Sequence, residues 1–279
     1  MNAQTHILPA AVTAPLTFLR PMERRPVSYQ YDPPPGIPQR TGIYDGHIVT
    51  IRNARPLAAG LSLDVEGFAL LQTPSRFTDF DDNDAIRTIY YPEVERLLKA
   101  ATGGAMVIVF DHNVRNAARA ARGEAGIRGP VSNIHNDFTL RSGPDRARRE
   151  LELRGFDARE LLRRRFSIVN LWRPIGRAVE KSPLALGDAR TIADQDLVAV
   201  DLVYRDRTGE TFSVKHNPAQ SWHYFPRLTP DEAILIKSYE SDPRMARFAP
   251  HAAFDDPTSA PGAPERESIE ARALVIHAA

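Results

Sequence analysis

The sequence contains no cysteine. That absence removes disulfides, zinc–thiolate sites, iron–sulfur clusters and thiol catalysis together. Any metal must then be held by His, Asp or Glu, a donor set that favours iron or another borderline cation. A surplus of one charge is also missing: 36 basic residues against 35 acidic ones leave a net +1. No global field therefore argues for nucleic acid or a membrane surface as partner. No apolar run reaches the roughly eighteen residues of a membrane-spanning helix. Residues 1–20 show no basic stretch followed by an apolar one, as a secretory leader would. The expectation from these absences is a cytoplasmic protein whose partner is a small molecule.

What is present is enough for one sizeable core: 279 residues, 42% of them hydrophobic. Residues 1–42 are rich in proline and polar groups around Pro33-Pro34-Pro35, and consecutive prolines hold an extended backbone with no N–H to share. The segment reads as an arm over the surface or over a second subunit; the latter is an argument for a homodimer, and the sequence leaves the oligomeric state open. Residues 43–279 read as a single domain.

Along that domain, His47–Ile51 alternates as a strand and Phe68–Leu71 is another. Asp82 to Ala101 is the clearest helix, capped by Asp82, with Ile86, Ile89, Tyr90, Val94, Leu97 and Leu98 at helical spacing and Gly103-Gly104 at its end. Residues 105–110 form a buried strand. A Gly/Arg-rich loop covers 115–130, and 144–165 is a solvated amphipathic helix interrupted near Gly155. Short strands follow at Phe166–Trp172, Leu197–Tyr204, Thr211–Lys215, Ser221–Phe225, Ala233–Tyr239 and Ile269–His277, separated by turns such as His-Asn-Pro (216–218). Many short strands with few helices mean a mainly β sandwich or barrel with flanking helices, of which a jelly roll is one closure. The segments 1–42, 115–130 and 176–196 are the expected lid over a substrate.

The chemistry concentrates in Ile134-His135-Asn136-Asp137-Phe138-Thr139. On a strand, His135 and Asp137 face one side and Asn136 the other. With eight His and 35 acidic residues, about one His-x-acid match arises by chance, so the spacing alone carries little. Its conjunction with a distal His carries more. His251 stands a short loop before a strand opened by Arg266-Glu267-Ser268, whereas His216 sits in a turn and His223 within Trp222-His223-Tyr224-Phe225. His135, Asp137 and His251 make a two-imidazole, one-carboxylate set that leaves positions open for a co-substrate and O2. Arg266 and Ser268 offer a cationic fork and a hydroxyl for the remote carboxylate of 2-oxoglutarate. Arg272 shares their parity and is the rival for that role. Asn170 and Trp172, also of one parity, can offer an amide and an indole N–H to the co-substrate or substrate.

At these blocks the chain resembles the hydroxylase/desaturase family of secondary-metabolite pathways, which includes gibberellin desaturase-like and cephamycin-cluster-related proteins. The resemblance rests on Phe110-Asp111-His112, His135 to Thr139, Asn170-Leu171-Trp172-Arg173-Pro174-Ile175, Tyr224-Phe225-Pro226, Lys237-Ser238-Tyr239-Glu240-Ser241 and Pro264-Glu265-Arg266-Glu267-Ser268-Ile269-Glu270-Ala271-Arg272. It implies a double-stranded β-helix (jelly-roll, cupin-like) core. It also implies Fe(II) and 2-oxoglutarate as cofactors, with O2 as co-substrate, for hydroxylating or desaturating a small molecule. Two alternatives stand beside it. A methyltransferase would need a glycine-rich turn between a strand and a helix, but Gly103-Gly104 precedes a strand instead. A small-molecule-binding barrel with a degenerate metal site would need a ligand to be missing, and none is.

Overall fold

Alternating strand residues bury one face each, so a chain with this many short strands must stack two sheets around a shared interior. A computed structural model describes residues 8–278. One sheet has nine strands: β1 (Ala11–Leu19), β2 (Val27–Tyr29), β3 (Tyr44–Asn53), β7 (His135–Asn136), β9 (Leu184–Gly187), β10 (Leu197–Val203), β11 (Thr208–Val214), β12 (Trp222–Tyr224) and β14 (His251–Ala253). Their spatial order is β1-β3-β12-β9-β14-β7-β11-β10-β2. The other has six: β4 (Phe68–Gln72), β5 (Met106–Asn116), β6 (Ile127–Arg128), β8 (Phe166–Pro174), β13 (Glu232–Glu240) and β15 (Glu267–Ile276), in the order β4-β13-β8-β15-β5-β6. The two sheets face each other as a jelly roll, the double-stranded β-helix that the family resemblance implies.

Helices close the outer face of the six-stranded sheet. Asp82 caps α1 (Asn83–Ala85) by accepting from the N–H groups of Asp84 and Ala85. A π-helical stretch, Ile86–Tyr90, leads into α2 (Tyr91–Thr102), which ends at Gly103 with φ 65°. Val94 and Leu98 of this helix pack on Val109, Val169, Leu171, Ala271 and Ala273 of the sheet. The opposite, inward parity of the same strands carries the polar side chains described below. A short α3 (Ala117–Ala121) follows β5, and α4 (Ser142–Glu152) and α5 (Ala158–Leu161) flank one end of the interior. Gly155, with φ 76°, breaks the helical run between α4 and α5, where the sequence places the interruption.

Several expectations change in detail. Within the segment read as an arm, residues 1–7 lie outside the described residues. Ala11–Leu19 is strand β1, paired along its whole length with β3, and Leu16 and Phe18 are buried in the core. Its Val-Thr-Ala-Pro-Leu-Thr-Phe alternation has the period of a strand, and Pro15 fits because β1 is an edge strand. β2 adds a parallel pairing with β10. The stretch 176–196 is also not all loop: Leu184–Gly187 is fully buried as β9, between β12 and β14. The run 115–130 divides into the end of β5, then α3 and β6.

Candidate metal and co-substrate site

Strand register builds the site. In the nine-stranded sheet, His251 of β14 lies directly opposite His135 of β7 on one side and Leu186 of β9 on the other. Residues directly opposite one another share a face, so both imidazoles point inward, with ring centroids 4.8 Å apart. His223 lies opposite Leu186 on β12, which puts it on the same face but three strands from His135, roughly 14 Å away at the usual spacing. His216 is elsewhere, its ring stacked on His47 at 4.1 Å. The register therefore separates the candidate distal histidines.

In the six-stranded sheet, the inward rows can be read from the pairings. Asn170 of β8 lies opposite Arg272 of β15, which lies opposite Asp111 of β5. The next row is Trp172, Glu270 and Asn113, and the row after it is Pro174, Ser268 and Arg115. A β-bulge between β15 and β5 follows Arg272. It re-aims β5, so that Asp111 and Arg115 turn inward while Val109 and Val114 pack under the helices.

Each ligand candidate is held by a neighbour. His135 donates from Nδ1 to the Asn133 carbonyl at 2.9 Å, and His251 from Nδ1 to the Ala249 carbonyl at 3.1 Å. A carbonyl only accepts, so Nδ1 carries a proton in each ring and Nε2 is the nitrogen turned towards the interior as the candidate ligand atom. Burial, and then the facing His251 ring, pushes the His135 imidazole down to about 4, so it is neutral near pH 7, as a metal ligand must be. Asp137 accepts from Asn170 Nδ2 at 2.6 Å and from Arg272 Nε at 2.9 Å. Burial alone would raise its carboxyl, but the Arg272 guanidinium and both imidazoles hold it well below the usual carboxylate range. Asn136 points the other way, as its parity requires, and pins the backbone by donating to the carbonyls of Phe138 and Ser238.

Among the described residues, no three His, Asp or Glu side chains are drawn together tightly enough to hold a cation as they stand. The closest approach of Asp137 to His135 Nε2 is 3.8 Å. Arg272 stands among them: it is the counter-ion of Asp137 and also pairs with Glu270 and Asp111. Glu270 in turn comes within 3.8 Å of His251 Nε2. Its parity with Arg266, Ser268 and Arg272 is the sequence signal that marks Glu270 as inward-facing.

Deeper in the same interior, Arg266 is 3% exposed and pairs with no carboxylate among the described residues. It donates from Nη1 to the Ser182 carbonyl at 2.6 Å and lies over the Trp172 ring at 5.2 Å. Burial, and then neighbouring Arg115, lowers its guanidinium to about 9. Its Nε, the Ser268 hydroxyl and Asn170 Oδ1 are buried without a hydrogen-bond partner. Such groups cost free energy unless a ligand meets them, and a buried cation beside an unpartnered hydroxyl fits a carboxylate. The structure thus brings together all eight residues singled out in the sequence but divides their work. Arg272 and Asn170 attach to Asp137, while Arg266, over Trp172, and Ser268 keep polar atoms without a partner. Arg115 could not have been found from sequence, because it enters the site only through its pairing with Ser268 across the sheet.

Known proteins resemble this chain over most of its length. A family model described as an oxidoreductase/YMDC permease-like domain matches residues 16–276. The Fe(II)/2-oxoglutarate-dependent dioxygenase nvfI of Aspergillus novofumigatus is 32% identical, over 89% of this chain and 90% of its own. The hydroxylase/desaturase efuI of Hormonema carpetanum is 32% identical over 84% of each. The chain belongs to the hydroxylase/desaturase family of Fe(II)/2-oxoglutarate-dependent oxygenases. Its fold matches a solved structure of the iron and alpha-ketoglutarate-dependent endoperoxidase NvfI, with a TM-score of 0.86 and 28% identity over 97% of this chain and 99% of the other. The helices and both sheets of the oxygenase are thus accounted for together. The Asn-Leu-Trp-Arg and Pro-Glu-Arg-Glu-Ser-Ile-Glu-Ala-Arg blocks behind the resemblance are strands β8 and the start of β15, which carry its polar interior.

Proposed function

We propose that this protein is an Fe(II)/2-oxoglutarate-dependent oxygenase that hydroxylates or desaturates a small secondary metabolite. The observation that carries the proposal is the paired arrangement of the interior. Two imidazoles face each other on adjacent strands with Asp137 beside His135, and Arg266 and Ser268, buried in the same interior, keep polar atoms without a partner. His135, Asp137 and His251 would hold the iron, and Arg266 and Ser268 would take the distal carboxylate of 2-oxoglutarate. When bound, the iron and co-substrate supply O2 activation and hydrogen abstraction. The chain's own residues do the rest. Asn133 and Ala249 fix the ring tautomers, Asn170 orients Asp137, and Trp172 gives Arg266 an aromatic face to lie on. Arg272 keeps Asp137 ionised, the form in which its carboxylate would hold the cation. The pose of the substrate's C–H bonds, to within about an ångström, selects between hydroxylation and desaturation.

A cytoplasmic location and a homodimer remain part of this proposal. The exposed stretch around Pro33-Pro34-Pro35 is the surface offered to a second copy, and sedimentation tests it. The near-zero net charge supports the expectation of no nucleic-acid partner.

The test is succinate formation from 2-oxoglutarate with Fe(II), ascorbate and O2, set beside iron content after anaerobic reconstitution. Wild type should bind about one iron and make succinate, and His135→Ala/Asp137→Ala should do neither. Iron and succinate that persist in the double variant would refute the ligand assignment.

A further inference from the structure

The cavity over His135 and Asp137 has a volume of about 480 Å³, within the usual range for a small-molecule site. Its walls differ in character. One, from β2, β10 and the segments on either side of β7, presents Val27, Val131, Phe138, Val200 and Leu202. The other, from β5, β6 and α4, presents Arg115, Arg128, Arg146 and Arg149. In all, eight arginines and four carboxylates line the space, a balance of +4, although the whole chain carries only +1. Fe(II) and doubly charged 2-oxoglutarate cancel each other, so loading the site leaves that excess in place.

The excess is also poorly compensated locally. Arg146 and Arg141 have carboxylate partners in Glu150 and Glu210. Arg40, Arg115, Arg128 and Arg149 form no ion pair among the described residues. Arg115 and Arg128 are register partners on the parallel β5–β6 pair, and like charges placed so are unfavourable. Burial lowers the Arg115 guanidinium from its ordinary value, and its one side-chain hydrogen bond is to the Gly129 carbonyl at 2.9 Å. A cleft lined by one sign of charge concentrates ligands of the other sign.

We infer that the substrate is an apolar molecule carrying an anionic group such as a carboxylate, its skeleton on the valine–leucine wall and its charge between Arg115, Arg128 and Arg149. This rests on the oxygenase reading of the same site and names the class of molecule it takes. The mixed-charge run of 144–165 then has a use beyond solvation, since Arg146 and Arg149 of α4 face the cavity.

The test uses two fluorescent probes of one skeleton, anionic anilinonaphthalenesulfonate and neutral phenylnaphthylamine, titrated anaerobically into protein loaded with Fe(II) and 2-oxoglutarate. Wild type should prefer the anion by at least about tenfold, and the preference should fall as salt rises. Arg128→Gln/Arg149→Gln should cut it below about threefold without changing affinity for the neutral probe, while Arg128→Lys/Arg149→Lys should retain most of it. Equal affinities in wild type, no binding of the anion, or a preference untouched by the Gln pair would overturn the inference. Succinate formation by the same wild-type sample separates the two readings. Succinate without anion preference sinks only the substrate class, whereas anion preference without iron or succinate sinks only the oxygenase assignment.

Discussion

Replacing Arg266 by Met tests the claim that this guanidinium is kept for a ligand at the expense of the fold. The fall of its pKa from 12.5 to about 9 corresponds to on the order of 5 kcal/mol set against the charged form. Methionine fills a similar volume without a charge. What the substitution loses is one charged hydrogen bond to the Ser182 carbonyl, about 1.5–3 kcal/mol, and the contact over Trp172, about 1–2 kcal/mol. The cofactor-free variant should therefore be as stable as wild type or more stable by up to about 2 kcal/mol, a rise in Tm of up to about 6 °C. Its response to co-substrate should be the reverse. With Mn(II) and 2-oxoglutarate at a hundred times Kd, wild type should gain about 2.7 kcal/mol. The variant, lacking the partner for the distal carboxylate, should bind roughly a hundredfold more weakly and gain under about 0.5 kcal/mol. Thermal unfolding with and without ligand reads both effects in one experiment. A variant that is less stable by more than about 1 kcal/mol yet keeps the full ligand-induced shift would refute the reasoning, since Arg266 would then be structural.

Two further predictions concern the frame. Burial pushes the Glu232 carboxyl up, but the Arg55 fork and the Thr229 N–H outweigh it, and the net value falls from 4.5 to about 2. A depressed carboxyl stabilises the fold above its unfolded value and stops doing so as pH falls through its folded value. Glu232→Gln should thus cost about 2 kcal/mol in urea unfolding at pH 6, with the gap to wild type narrowing from pH 4.5 towards 2; a gap that is constant over that window would count against the ion pair. At Gly143 in α4, an added Cβ would lie 2.3 Å from the Tyr239 ring, which is itself stacked on Phe166. Gly143→Ala should cost about 1–3 kcal/mol despite alanine's better helix propensity, and a stabilised variant in the same assay would show that the ring can move aside.

Much of the site was legible in the sequence because strands translate sequence parity directly into faces. His135 with Asp137, Arg266 with Ser268 and Arg272, and Asn170 with Trp172 each needed only the period of two. The helix from Asp82 to Gly103 was legible from its cap, its apolar spacing and its terminal glycine, all local signals. β9 and β14 were not: four and three residues are too short for a period to show. β1 was obscured by the prolines around it.

Sequence by itself determined which residue types could do the chemistry. Without cysteine the metal falls to histidine and carboxylate, and parity sets which neighbours share a face. Only the tertiary structure decided which distant partners meet. His251 rather than His223 faces His135 because β14 lies beside β7 and β12 lies three strands away. Arg272 and Asn170 meet Asp137 together because β8 and β15 align them in one row, with Arg266 beyond the end of that ladder. Sheet register is set by hydrogen bonds between strands far apart in the chain, and no local pattern encodes that choice.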